Sequence, residues 1–187
     1  METPTARSLV PESFTTARLS VRRPAALDAE AVFERYSRDP EVTRYLTWQT
    51  HRSVEDTRAF LAWSDRAWTE KGWGPYLIFT RDGRLVGGTG LTLETAYRAE
   101  TGYVFARDAW GLGFATEALA ALASLAFGRP FLRRLYAVCH VDNLASVRVL
   151  EKTGFVREGR LRSHLLFPNL GGSLPSDVFL YGRLRGE

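Results

Sequence analysis

The order of hydrophobic patterns along the chain predicts a mixed α/β (α+β) fold, a sheet with helices packed on it. Three observations predict it. Helix-spaced apolar residues fill much of the first third, two alternating runs meet at Asp82-Gly83, and strand and helix patterns take turns afterwards. They do so without the regular period of a doubly wound sheet. With 187 residues, 45% hydrophobic and 25% charged, the chain suits one globular domain and is short for two. Residues 1–16 are polar and bear Pro and Thr, so a loose N-terminal arm is expected there and a single domain over 17–187.

Each element has its own signal. RLSVRRP (18–24) alternates apolar and charged side chains, as a half-buried strand does, and Pro24 ends it. Leu27, Ala31, Val32 and Tyr36 fall at helical spacing in 26–39, which Pro40 closes. Ser53 followed by Asp56 reads as a cap with an acidic first turn. The helix over 54–72 then places Thr57, Phe60, Trp63 and Ala67 on one face and stops at Gly72. YLIFT (76–80) and LVGGTGLTLE (85–94) flank the Asp82-Gly83 turn as a hairpin, and TGYVFA (101–106) is a further strand. Leu112, Ala115, Leu119, Leu122 and Ala126 mark a buried helix face. RLYAVCHV (134–141) reads as a strand and 143–155 as a helix ended by Gly154, with Phe155 folding back. Strands at 164–167 and 177–184 complete the chain, separated by a Pro- and Gly-rich loop.

The net charge of +4 comes from arginines spread along the chain, and no zinc-finger or basic-heptad pattern accompanies them, so no nucleic-acid partner is expected. Cys139 is the one cysteine, which excludes an intrachain disulfide. The first residues lack a basic stretch followed by an apolar one, and no run nears the roughly 18 apolar residues of a membrane span. A cytoplasmic protein without a membrane partner is the expectation.

The stretch AWGLGFATEALAALASLAF (109–127) sets glycines where an apolar helix begins. Glycine inside a helix costs about 0.5–1 kcal/mol relative to alanine, so these positions need a reason. One is a simple turn. The other is a bend whose free amide protons face a phosphate, helped by the helix dipole. Neither a Walker loop nor the dinucleotide fingerprint is present, since no Gly-Lys-Ser/Thr follows and the third glycine is missing.

Together, GYVFARDAWGLGFATEAL and VDNLASVRVLEKTGFVREGRL resemble the GNAT superfamily of acyl-CoA-dependent N-acetyltransferases. The likeness is greatest to the branch of ribosomal-protein N-terminal (alanine/serine) acetyltransferases and their small-molecule relatives. It is specific over 100–167 and looser over 18–99. The resemblance implies a twisted mixed sheet of six or seven strands with helices on both faces, whose central parallel strands, 101–106 and 134–141, splay to admit pantetheine. It places the pyrophosphate of acetyl-CoA on the amides of Leu112, Gly113, Phe114 and Ala115, and the pantetheine arm along Tyr103, Val104 and Phe105. Asn143 and Ser146 fall on the family's Asn-x-x-Ser step. Asn143 would bind pantetheine, or simply cap a helix; Ser146 would touch the cofactor and protonate the departing thiolate, or merely fill a first turn.

The activity implied is a direct transfer of acetyl from acetyl-CoA to a primary amine, making the protein a transferase of the acyltransferase class. An α-amino group titrates near 7.7–8.0 and a lysine near 10.4, so at pH 7 roughly 10% of the former is free base against under about 0.1% of the latter. A modest base suffices for an α-amine, and Glu100 is the candidate, its alternative being a solvated strand-end charge. A peptide or protein N-terminus is favoured slightly over a small amine, on branch likeness alone. The rival is a non-catalytic CoA-binding sensor module. The likeness also admits a homodimer. Cys139 is read as core, no histidine spacing suggests a metal, and His140 borders Asn143 in sequence. Trp48, Trp63, Trp68, Trp73 and Tyr97 divide between core and acceptor wall, and Arg157, Arg160 and Arg162 between solvent and the 3′-phosphate of CoA.

Overall fold

A computed structural model describes residues 9–187 of the chain. Residues 1–8 of the expected arm lie outside the described residues; the rest of the arm contains a strand. The strands are β1 (Ser13–Thr15), β2 (Leu19–Arg22), β3 (Pro75–Thr80), β4 (Leu85–Leu93), β5 (Arg98–Phe105), β6 (Arg134–His140), β7 (Val156–Leu165) and β8 (Ser176–Leu184). The helices are α1 (Ala29–Val32), α2 (Pro40–Thr43), α3 (Val54–Lys71), α4 (Phe114–Phe127) and α5 (Leu144–Lys152). One sheet of eight strands results, in the order β1-β2-β3-β4-β5-β6-β8-β7. The strand beyond the expected six or seven is β1, three residues paired antiparallel with β2 and too short to show alternation in the sequence.

Helices cover both faces. Leu77 of β3 meets Val32 and Tyr36 on one side. Its neighbours Tyr76 and Ile78 join Leu119, Leu122 and Ala126 of α4 on the other, as the strand's two-residue period requires. The helix expected over 26–39 is broken into a 3₁₀ turn (Ala26–Asp28), α1 and a π-helical turn (Phe33–Ser37). In α3 the buried residues are Thr57, Leu61, Ser64, Ala67 and Trp68, so Thr57 and Ala67 of the expected face are buried while Phe60 and Trp63 stand on a more open side. Leu112 is exposed and precedes α4 instead of joining its buried face. The end of α5 forms as expected: Gly154 has φ +79° and the Phe155 N–H donates to Leu150 O at 3.0 Å. The first strand after it runs from 156, not 164, and most of it is exposed, so no buried face marks it.

Among the described residues every pairing is antiparallel except β5 with β6, the parallel pair, and that pairing stops early. Only Arg98↔Arg134, Ala99↔Leu135 and Glu100↔Tyr136 are in register. Beyond Glu100, β5 runs on to Phe105 and β6 to His140 without pairing, while β4 and β8 hold their outer edges. The sheet is therefore forked.

Candidate active site

A cavity of about 570 Å³ occupies the fork and continues past the sheet to α3 and the segment 45–48. Glu100, Tyr103, Val104, Asn143 and Ser146 line it; Phe105 and the bend 111–115 do not.

Glu100 is the last paired residue of β5, at the vertex of the fork. Burial in the cavity wall pushes its carboxyl above the usual range, and the nearby Glu94 adds to the shift; His164 opposes it. A carboxylate so raised is a better proton acceptor at neutral pH than a solvated one.

The amides above Glu100 are placed by the strand period. The Ala106 N–H donates to Val86 O on β4 at 2.9 Å. By alternation the amides of Tyr103 and Phe105 face the opposite edge, where β6 has veered away. Consistent with this, the Phe105 carbonyl accepts from the Trp110 indole N–H at 2.8 Å rather than from a strand.

Across the fork, Asn143 caps α5: its Oδ1 accepts from the Ser146 N–H at 3.1 Å. Ser146 Oγ lies 2.9 Å from Tyr103 Oη, a hydroxyl pair joining β5 to α5 across the gap. Sequence reasoning used Tyr103 only for its backbone; its side chain faces Ser146 because the fork brings the two elements within reach. Cys139 also lines the cavity, but burial pushes its thiol up to about 11, so it stays protonated and is a poor nucleophile.

The bend before α4 needs its glycines for backbone geometry. Gly111 has φ +74° and Gly113 φ +78°, both left-handed. A Cβ on Gly111 would meet nothing within 4 Å, whereas one on Gly113 would lie 3.3 Å from Arg18 Nη2. Gly113 is the N-cap and has no side chain to satisfy the first-turn amides. Arg18 secures the bend from behind, its Nη1 donating to Leu112 O at 2.8 Å and its Nε to Glu117 Oε2 at 2.6 Å. Burial alone would raise the Glu117 carboxyl, but hydrogen bonds from Thr16 and Arg18 outweigh it and hold it low. The role of Arg18 was not visible in the sequence, where it reads as one of many scattered arginines.

The far wall of the cavity is aromatic. Tyr45, Trp48, Phe60, Trp63 and Phe167 line it, along with His51, whose pKa burial lowers. Of the five aromatics singled out in the sequence, Trp48 and Trp63 stand here, Trp68 and Trp73 are core, and Tyr97 is exposed away from the lining. His140 stacks on Tyr45 with ring centroids 5.0 Å apart. Asn169 fastens this wall: its Nδ2 donates to Thr43 O and Trp48 O, both at 2.8 Å, and its Oδ1 accepts from the Thr50 N–H at 2.9 Å. Nothing in the sequence pairs residue 169 with 43–50. Elsewhere, Arg160 pairs with Asp177 at 2.7 Å and the Arg157 guanidinium lies over Phe179. Among the described residues no group of three or more metal-ligating side chains is present, and no helix is long and apolar enough to cross a membrane.

The sheet is thus forked at the one parallel pair among the described residues, with a half-buried carboxylate at the vertex, hydroxyls across the gap and a cavity running through the opening. Residues 18–156 match the family described as Acetyltransferase (GNAT) domain, and the chain belongs to that family. It is an N-acetyltransferase. The chain is 36% identical over 153 residues to an uncharacterized N-acetyltransferase, YoaA, of Bacillus subtilis, covering 80% of this chain and 86% of that protein. Among solved structures it is similar to a GNAT-family acetyltransferase from Bacillus anthracis, 28% identical with a TM-score of 0.81, covering 94% and 99% of the two chains. The ribosomal L7/L12 α-N-protein acetyltransferase RimL, solved in complex with coenzyme A, shares the fold at a TM-score of 0.80 and 23% identity, covering 94% and 97%.

Proposed function

We propose that this enzyme moves acetyl from acetyl-CoA to a primary amine in one ternary complex, favouring the α-amine of a peptide or protein over a small amine. The observation that carries the reading is the fork: pairing ends at Glu100, and the next two outward-facing amides, Tyr103 and Phe105, have no strand opposite them. An extended pantetheine fits that edge as a missing strand would, and RimL's complex with coenzyme A supports this use of the fold. The residues present fit the rest of the molecule too, since the bend at Gly111 and Gly113 presents uncapped amides at the start of a 14-residue helix. Leu112, Gly113, Phe114 and Ala115 would hold the pyrophosphate there, and Asn143 the pantetheine. Acetyl-CoA supplies the activated thioester.

The chain's own groups handle the protons. As the carbon–nitrogen bond forms, Glu100 takes the proton lost by the amine, directly or through a water. As the carbon–sulfur bond breaks, Ser146 Oγ would give its proton to sulfur and take one from Tyr103 Oη, 2.9 Å away, which regains its own from solvent, so that no alkoxide is left. The Phe105 amide, aimed into the fork, stabilises charge on the carbonyl oxygen.

Incubating the protein with acetyl-CoA and pooled amines, peptide N-termini included, and following free thiol tests the reading. Thiol release that depends on an amine supports it. Tight coenzyme A binding with no release above the buffer rate would replace it with the CoA-binding sensor module.

A further inference from the structure

The acceptor wall carries chemistry of its own. Glu100 is the one carboxylate among the cavity-lining residues described, and no lysine or arginine lines it. Arg44 stacks over Tyr45, 5.4 Å from its ring centroid, but stands outside the lining. The other polar side chains of the lining are hydroxyls, Asn143 and His51, whose pKa burial lowers, and the side formed by 45–48, α3 and Phe167 is dominated by aromatic rings. Trp63 is 47% exposed on the open side of α3, with the Phe60 ring stacked 6.0 Å from it. Trp48 and Phe167 complete the ring-lined side. A large aromatic left exposed beside a concave, ring-lined opening marks a surface that something covers.

We propose that the acceptor of this enzyme is a primary amine whose neighbouring group is aromatic or bulky and apolar and bears no anion. This rests on the acetyl-transfer reading and narrows it. The amine finds Glu100, and its apolar body finds Trp48, Phe60 and Trp63. A carboxylate beside the amine would be stripped of water next to Glu100 with no cation to receive it, so anionic acceptors are rejected by repulsion and desolvation together. For a peptide acceptor, the first residue is therefore large and apolar rather than acidic or small.

The test uses matched acceptors at saturating acetyl-CoA: 2-phenylethylamine against L-phenylalanine, and tripeptide amides beginning with Phe, Ala or Asp. The expected result is a kcat/KM roughly tenfold or more higher for 2-phenylethylamine than for L-phenylalanine, and for the Phe peptide than for the Ala and Asp peptides, as one apolar pocket contact can give. Trp48→Ala should narrow the Phe-to-Ala ratio and Trp48→Phe should restore it. Equal turnover of L-phenylalanine, or an Ala or Asp peptide ahead of Phe, overturns the inference while leaving acetyl transfer standing. Quenching of tryptophan fluorescence by 2-phenylethylamine, titrated onto protein saturated with coenzyme A, reads the pocket without turnover. Binding there with no thiol release from any amine sinks acetyl transfer and upholds the pocket chemistry; absence of binding sinks the inference.

Discussion

Glu100 sits at the vertex of the fork, lining the cavity and buried enough for its carboxyl to be raised. As the proposed base, its ionised form would take the proton, so the rate should fall as pH drops through the raised pKa. The acid limb of kcat/KM should thus lie above the usual carboxylate range. Glu100→Gln should remove that limb and lower kcat by about 10²-fold or more. Stability moves the other way. A carboxyl raised by folding contributes stability that is present below its unfolded pKa and lost as pH rises through the folded one. At pH 7 the neutral Gln should therefore melt no lower than the wild type, and a lower melting temperature would mean that the charge serves structure. Ser146 and Tyr103 form a pair, so their losses should not add. Ser146→Ala should lower kcat more than coenzyme A affinity, and adding Tyr103→Phe should cost less than its single effect. An unchanged kcat in Ser146→Ala would remove that hydroxyl from the chemistry.

Two elements place the groups that a single residue cannot. The bend before α4 depends on left-handed backbone at Gly111 and Gly113. Valine at 113 would strain that conformation and set side-chain atoms against Arg18 and any anion on the amides. Losing a charge-assisted contact there is worth about 1.5–3 kcal/mol, so Gly113→Val should raise the acetyl-CoA KM by roughly 10- to 100-fold. An unaltered KM would move the phosphate site elsewhere. On the opposite side, Asn169→Ala breaks contacts that tie the turn Pro168–Leu170 to 43–50. It should cost about 1–3 kcal/mol of stability and raise the acceptor KM while leaving that of acetyl-CoA alone. The contrast follows what the sequence could tell. The left-handed glycine bend and the Asn143 cap carry local signals in the sequence, turn glycines and a cap residue, while Glu100 and Ser146 were reached through the family resemblance. The aromatic wall comes from Tyr45 to Trp48, α3 and Phe167, segments joined only by tertiary contacts such as those of Asn169. Periodicity also placed Phe60 and Trp63 on the buried face of α3 with Thr57 and Ala67, whereas the cavity takes those two rings outside the core and Leu61, Ser64 and Trp68 fill the buried side.

In the whole molecule, the fork divides one sheet into a five-stranded part and a three-stranded part joined by three paired residues. Local pattern could not show this, since β5 and β6 each read as ordinary buried strands and the splay is a property of their pairing. The three-residue seam leaves the amides of Tyr103 and Phe105 with no strand opposite them, and unpaired backbone groups are costly unless water or a ligand meets them. Amide exchange should therefore alternate along β5. Val104, which faces β4, should be protected in the free protein, while Tyr103 and Phe105, which face the fork, should exchange faster. Coenzyme A should slow Tyr103 and Phe105 selectively. Because it bridges the two parts, it should also raise the melting temperature; at about 100 times its Kd the gain is about 2.7 kcal/mol, roughly 5–10 °C for a chain of this size. Uniform protection along β5, or stabilisation by coenzyme A without any change at Tyr103 and Phe105, would mean that the ligand binds outside the fork and that the splay serves another purpose.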